Sequence, residues 1–261
     1  MPSARHFIRD LQGRGRYLFS TEEAVAALGR TFTATRAALR RLKEKGELAD
    51  PHRGFHVIVP PEYQALGCLP AEQFIPDLML RLEEPYYVTL LSAAAYHGAA
   101  HQKPQVFQVM VPHRRRPIAC GKVRIQFISR SDMAKTPVIE RNTSRGTIKI
   151  ASAAATALEV VGYPEHGGGL SNVATVLAEL AESVDAEALV VEAHRAPLSW
   201  VQRLGYLLSL VEASELAAAL DPVLVARKPF AVALAPSAPR GGSPSDPRWN
   251  VAVNVHVEPD L

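Results

Sequence analysis

Residues 31–60, TFTATRAALRRLKEKGELADPHRGFHVIVP, limit the fold more than any other stretch. At 100° per residue, Thr35, Ala38, Leu39 and Leu42 fall on one face of a helix. That helix is predicted to begin at Thr31 or Thr33 and to end at Gly46. Its other side carries Thr33, Ala37 and Arg40, with Arg36, Arg41 and Lys43 on the flanks. Directly afterwards, Asp50-Pro51 opens a turn, Gly54 closes it, and Phe55 to Val59 is rich in β-formers. That order predicts a tight hairpin.

The segments upstream give the apolar stripe its partners. Phe7, Ile8 and Leu11 form a helical stripe over Arg5–Leu11, ended by Gly13 and Gly15. Tyr17-Leu18-Phe19 reads as a short extended piece. Ser20 begins a capping box, its hydroxyl accepting from the Glu23 amide while the Glu23 carboxylate reaches back. The helix Thr21–Leu28 follows, and Gly29 stops it. Three helices and a hairpin within residues 1–60 match the winged helix-turn-helix plan.

That plan has a physical use. The major groove of B-DNA is about 12 Å wide and admits one α-helix. Guanidinium forks on the helix suit guanine edges or phosphates. Thr33, Arg36 and Arg40 are the candidates for base contacts. Arg41, Lys43 and Arg53, with Arg14 and Arg16 ahead of the fold, are the candidates for phosphate.

The chain has 261 residues, which suits two domains, set here at 1–60 and 61–261. Its 48% apolar content is enough for real cores. Cys68 and Cys120, far apart in sequence, read neither as a disulfide framework nor as a zinc knot. A reducing cytoplasm is the expected compartment. No long apolar stretch at the N-terminus suggests a signal peptide, and none is long enough to span a bilayer. Charge is strongly segregated. Residues 1–60 hold eleven Lys and Arg against six Asp and Glu, and residues 101–149 hold eleven against two. Residues 150–261 hold six against thirteen. Two basic blocks in a near-neutral chain predict two surfaces able to meet phosphate.

The remaining chain predicts an α+β protein whose second domain is mixed α/β. Pro60, Pro61 and Pro70 mark the boundary. Phe74–Leu82 and the whole of PYYVTLLSAAAYHGAAH read as helices. Residues 105–112, 122–130 and 146–152 read as strands, with Arg114-Arg115-Arg116 in a loop between the first two. Helices are expected at 152–162, 170–183, 185–194, 197–210 and 212–220. PFAVALAP and WNVAVNVHV read as strands split by a mobile Pro/Gly/Ser loop. In WVQRLGYLLSL, Val201, Leu204, Leu207, Leu208 and Val211 are expected in the core. Gln202, Arg203 and Tyr206 are expected to face outward.

In order, these features resemble the AbiEi-type antitoxins of type IV toxin–antitoxin systems. The resemblance rests on the N-terminal module and on YYVTLLSAAAYHGAAHQKPQVFQVMVP with its RRR loop. It also rests on IASAAATALEVVGYPEHGGGLSNVATVL, WVQRLGYLLSL and RWNVAVNV. It implies a repressor of its own promoter that binds inverted repeats in double-stranded DNA. It further implies a C-terminal domain that counters a nucleotidyltransferase-like toxin encoded beside it, directly or through the toxin's substrate. A stand-alone regulator that senses a small molecule is the alternative.

Other chemistry is weakly signalled. His97 and His101 have i, i+4 spacing, but no third zinc ligand is apparent. HGGGLSN lacks the Lys-Ser/Thr of a P-loop and reads as a flexible connection to a Ser171-capped helix. Glu83-Glu84 reads as a solvated helix end. No nucleophile-elbow pattern places a serine for attack. The chain is therefore read as a binding protein without cofactor, metal or catalytic residue. Arg114, Arg115 and Arg116 are read as contacts for phosphate or for a protein partner.

Overall fold

A computed structural model describes residues 3–99, 104–239 and 241–260. The N-terminal elements are α1 (Ala4–Gly13), β1 (Leu18–Ser20), α2 (Thr21–Leu28), α3 (Phe32–Glu44), β2 (Leu48–His52) and β3 (Phe55–Ile58). Then come α4 (Ile75–Arg81), β4 (Tyr87–Val88), α5 (Leu90–Tyr96), β5 (Phe107–Val111), β6 (Ile118–Cys120) and β7 (Val123–Ser129). After these lie β8 (Val138–Thr143), β9 (Gly146–Ala151), α6 (Ala153–Gly162) and α7 (Leu170–Leu180). The chain closes with α8 (Ala186–Arg195), α9 (Leu198–Leu210), α10 (Ser214–Arg227), β10 (Val232–Ala233), β11 (Ser245–Asp246) and β12 (Val251–Ala252). The protein is thus α+β. It divides into two compact units. The first comprises residues 1–86, 105–133 and 140–148, and the second 87–104, 134–139 and 149–261.

In the first unit, α1, α2 and α3 pack round Phe7, Ile8, Leu11, Ala24, Leu28, Leu39 and Leu42. The buried face of α3 is Thr35, Ala38, Leu39 and Leu42, as its periodicity predicts. Thr31 is its N-cap and accepts from the Ala34 amide at 3.3 Å. β3 lies between β1 and β2, antiparallel to both. The hairpin turns at Arg53-Gly54, with Gly54 at φ +74°. Asp50-Pro51, expected to open that turn, instead sits inside β2, where the register shifts between Ala49 and His52. A bulge absorbs the proline, whose missing N–H cannot serve a regular ladder. The capping box forms only in half. Ser20 Oγ accepts from the Glu23 amide, but the Glu23 carboxylate takes the Arg16 guanidinium at 2.7 and 3.1 Å. A cation is the stronger partner for a carboxylate than an amide.

A second core joins the hairpin to residues beyond Pro60. Ala49, Phe55, Val57 and Val59 share one cluster with Leu69, Phe74, Ile75, Leu78, Val109, Val111 and Ile125. Compactness therefore continues past the proline pair. In this part β5 runs parallel to β7, and β6 pairs antiparallel with β7. Arg145, in the turn between β8 and β9, stacks 3.4 Å from the Tyr17 ring centroid and donates to Gln73 Oε1 at 2.7 Å.

The second unit is mainly helical. The segment read as one helix from Pro85 is split. Tyr87-Val88 forms β4, parallel to β9 through Val88 and Ile150, and the helix α5 begins only at Leu90. An aromatic and a β-branched residue suit a sheet better than a first helical turn. Ser152 caps α6 and Asp185 caps α8 through side-chain oxygens. α7 is capped by Gly169 rather than Ser171, whose hydroxyl accepts from the Glu258 amide at 3.2 Å. The glycine run ahead of α7 is tied down by Asn172 Nδ2 donating to Gly167 O at 2.7 Å. α10 runs through Pro222 to Arg227, past its expected end. The C-terminal strands shorten to two residues each, and the loop expected to be mobile supplies β11 beside β12.

The expected outward face of α9 is also corrected. Gln202 and Arg203 are buried. Gln202 Nε2 donates to Phe230 O at 2.7 Å and Trp249 O at 2.9 Å, and Arg203 Nε donates to Ala233 O at 2.8 Å. Frayed C-terminal strands leave carbonyls without ladder partners, and these two side chains satisfy them.

Candidate nucleic-acid interface

α3 and the β2–β3 hairpin flank an open groove of about 870 Å³. Thr33, Arg36, Ala37 and Arg40 line it from the helix, and Arg53-Gly54 line it from the hairpin tip. All are exposed except Gly54, which is half-buried. One turn of helix separates Arg36 from Arg40, so both guanidinium groups leave α3 on the same side. The exposed side of α3 is where sequence reasoning places it.

Each cation has a different degree of freedom. Arg40 Nε lies 3.4 Å from Glu44 Oε1, with both side chains largely in solvent. Such a pair contributes about 0–1 kcal/mol and is easily exchanged. Arg36 sits 5.8 Å from the Phe32 ring centroid, a cation–π geometry that aligns it along the helix. Lys43 is held at 3.0 Å from Asp50 Oδ2. Among the described residues, Arg41 and Arg53 are exposed and have no ion-pair partner. Arg14 and Arg16 lie outside the groove lining, paired with Asp10 at 3.0 Å and Glu23 at 2.7 Å.

The floor of the groove is a polar chain. Thr21 Oγ1 lies 2.8 Å from His56 Nε2. His56 Nδ1 donates to Asp50 Oδ1 at 2.7 Å, and Asp50 Oδ2 meets Lys43. The His56 ring stacks 5.1 Å from Phe19. This chain ties α2, β3, β2 and α3 together. Burial pushes the Asp50 carboxyl upward, but hydrogen bonds from His56 and Lys43, with their charge, outweigh it and hold it below the usual range.

Two groove residues were not legible from sequence spacing. Phe32, 51% exposed, is a large apolar side chain on the first turn of α3. Arg81 of α4 reaches the same groove and pairs with Glu22 at 3.1 Å. Phe32 was detectable as an aromatic off the buried stripe. Arg81 lies well beyond the N-terminal module, and no local pattern links the two.

The RRR loop is divided. Arg115 is half-buried and forms an ion pair with Glu84, whose side chain is 7% exposed. Glu84 is therefore no solvated helix end, because a buried carboxylate needs a charged partner and Arg115 supplies it. Arg114 and Arg116 stay exposed. Arg114 lines a smaller groove of about 450 Å³ with Pro85 and His113. His97 Nε2 donates to Ala151 O at 2.8 Å, while His101 lies outside the described residues. Among the described residues, no helix is long and apolar enough to cross a membrane.

Comparison with known proteins bears on the second half of the chain above all. The crystal structure of the RV2827C protein from Mycobacterium tuberculosis is similar with a TM-score of 0.67 at 18% identity. The match covers 95% of this chain and 90% of that one, a likeness of fold alone at such identity. Among curated proteins, none matches the chain. A family match falls on residues 87–210 and is described as the AbiEi antitoxin C-terminal domain. That match agrees with the AbiEi-type resemblance of the sequence features.

Proposed function

We propose that the chain is the DNA-binding antitoxin of a type IV toxin–antitoxin pair and represses its own promoter from the cytoplasm. α1 to β3 act as a winged helix. α3 enters the major groove and presents Thr33, Arg36 and Arg40 to base edges. The hairpin tip carries Arg53 to the neighbouring backbone, while Arg41, Lys43, Arg14 and Arg16 add to the field that holds phosphate. The AbiEi domain counters a nucleotidyltransferase-like toxin encoded beside it, with Arg114 and Arg116 available for phosphate or for the toxin itself. The mechanism is binding rather than bond-making.

The observation that carries this reading is the exposed guanidinium face of α3 beside a hairpin tipped by arginine. Arg40 leaves Glu44 at little cost, so a base or phosphate can replace the carboxylate. Truncation at residue 60 is a poor test, because the hairpin shares a core with residues 69–125. Paired substitution is better. Arg36→Ala with Arg40→Ala in the full chain is expected to abolish promoter repression and leave rescue from the toxin intact. Repression at the wild-type level by this variant would remove α3 from the interface.

A further inference from the structure

Cys68 and Cys120 are the two cysteines of the chain, and the fold brings them together. Both are buried in the second core cluster of the first unit. The backbones that carry them are locked. Lys122 N–H donates to Leu66 O at 2.7 Å. A Cβ on Gly121 would lie 2.3 Å from Leu66 O and 2.7 Å from the Gly67 carbonyl carbon. Residue 121 has to be glycine for so close an approach, at φ +57°. That contact fixes the residue before Gly121 against the residue after Gly67.

Each thiol is the other's main electrostatic partner. Pairing with Cys120, then burial, favours the protonated Cys68 thiol. Pairing with Cys68, helped by the charge of Lys43, outweighs burial and the Asp50 charge and lowers Cys120. Two cysteines on touching backbones are the arrangement an intramolecular disulfide needs. Asp50 then links the pair to His56 and Lys43 on the groove floor.

We propose that Cys68 and Cys120 form a dithiol–disulfide site that a peroxide oxidises and a small thiol reduces, and that its state sets the seating of β2 against α3. The Cys120 thiolate attacks one peroxide oxygen. The O–O bond breaks, the departing hydroxide takes up the proton Cys120 lost, and Cys120 becomes a sulfenic acid. The Cys68 sulfur attacks that sulfur, the S–O bond breaks, and a second water leaves with the Cys68 proton. Two electrons pass from the two thiols to one peroxide, and two molecules of a small thiol return them, leaving as their own disulfide. Ala49 of β2 shares the buried cluster with both cysteines, so drawing them into a disulfide shifts the β2 bulge. The site does not depend on the DNA reading, although it lies beneath the face that reading uses.

The test treats the folded full-length chain with hydrogen peroxide, caps remaining thiols by alkylation, and maps peptides without reduction. The expected product is one intramolecular Cys68–Cys120 cross-linked peptide, lost on dithiothreitol treatment. Unmodified thiols at peroxide levels that consume free glutathione, intermolecular links only, or sulfinic acid only would each overturn the site. The wild-type map decides this whether or not Cys68→Ala folds. Amide hydrogen exchange of both states then reads the coupling, with a change of about tenfold expected at Asp50. Identical exchange over residues 48–56 in both states would overturn the seating claim. Neither readout involves DNA, so its failure is separable from a failure of promoter binding.

Discussion

In the proposed DNA contact, Phe32 and Arg40 would divide the work of recognition at the scale of single side chains. Arg40 is a forked donor loosely held by Glu44, and Phe32 is an apolar surface with no core to enter. Aromatic contact with a thymine methyl supplies sequence preference without charge. Phe32→Ala is therefore expected to flatten the preference for promoter over random DNA while sparing nonspecific affinity. A binding-site selection on both proteins checks it. Asp50 gives a second prediction. Its carboxyl is depressed in the folded state, so its contribution is complete above the ordinary aspartate value of about 3.9. That contribution is lost as pH falls through the depressed value. Urea melts of wild type and Asp50→Asn are expected to differ most near neutrality and to converge in acid. Thr35, Ala38, Leu39 and Leu42 were legible because a stripe of apolar spacing has one way to bury. Gln202 and Arg203 were not, since their partners are carbonyls of remote segments that no helical pattern announces.

The helices and strands depend on close approaches that single glycines permit. On α9, Gly205 faces the Trp249 ring, and a Cβ there would lie 2.1 Å from it. Gln202 and Ser209 on the same helix bind the Trp249 carbonyl and indole N–H. Gly205→Ala must displace a fully buried tryptophan, so it is expected to cost about 1–3 kcal/mol. Calorimetric unfolding, with the loss appearing in the second unit, checks it. Helix positions in this unit were mostly legible, because caps such as Ser152 and Asp185 follow local rules. Short strands were less so. β4 exists through pairing with β9, distant in the chain, and β11 through pairing with nearby β12, while two residues carry no period of their own.

Across the whole molecule, charge follows the proposed division of tasks. The cationic excess of residues 1–60 emerges on α3 and the hairpin tip, while the AbiEi family match covers residues 87–210. Part of the apparent excess is internal, since Arg5, Arg16 and Lys43 bind carboxylates of their own unit. Sequence counts could not separate these from Arg36 and Arg53, or from Arg40 with its exposed Glu44 pair, because a count does not record pairing. The exposed remainder sets the long-range attraction to a polyanion. The most direct measurement is the affinity of the full chain for its own promoter DNA across a salt series, with Arg36→Ala/Arg40→Ala alongside. Phosphate neutralisation by α3 predicts a linear fall of log K with log salt, at about −0.9 per phosphate neutralised, and a shallower slope with at least about tenfold weaker binding for the double variant. Salt-independent binding, or a double variant that tracks the wild type throughout, would contradict it.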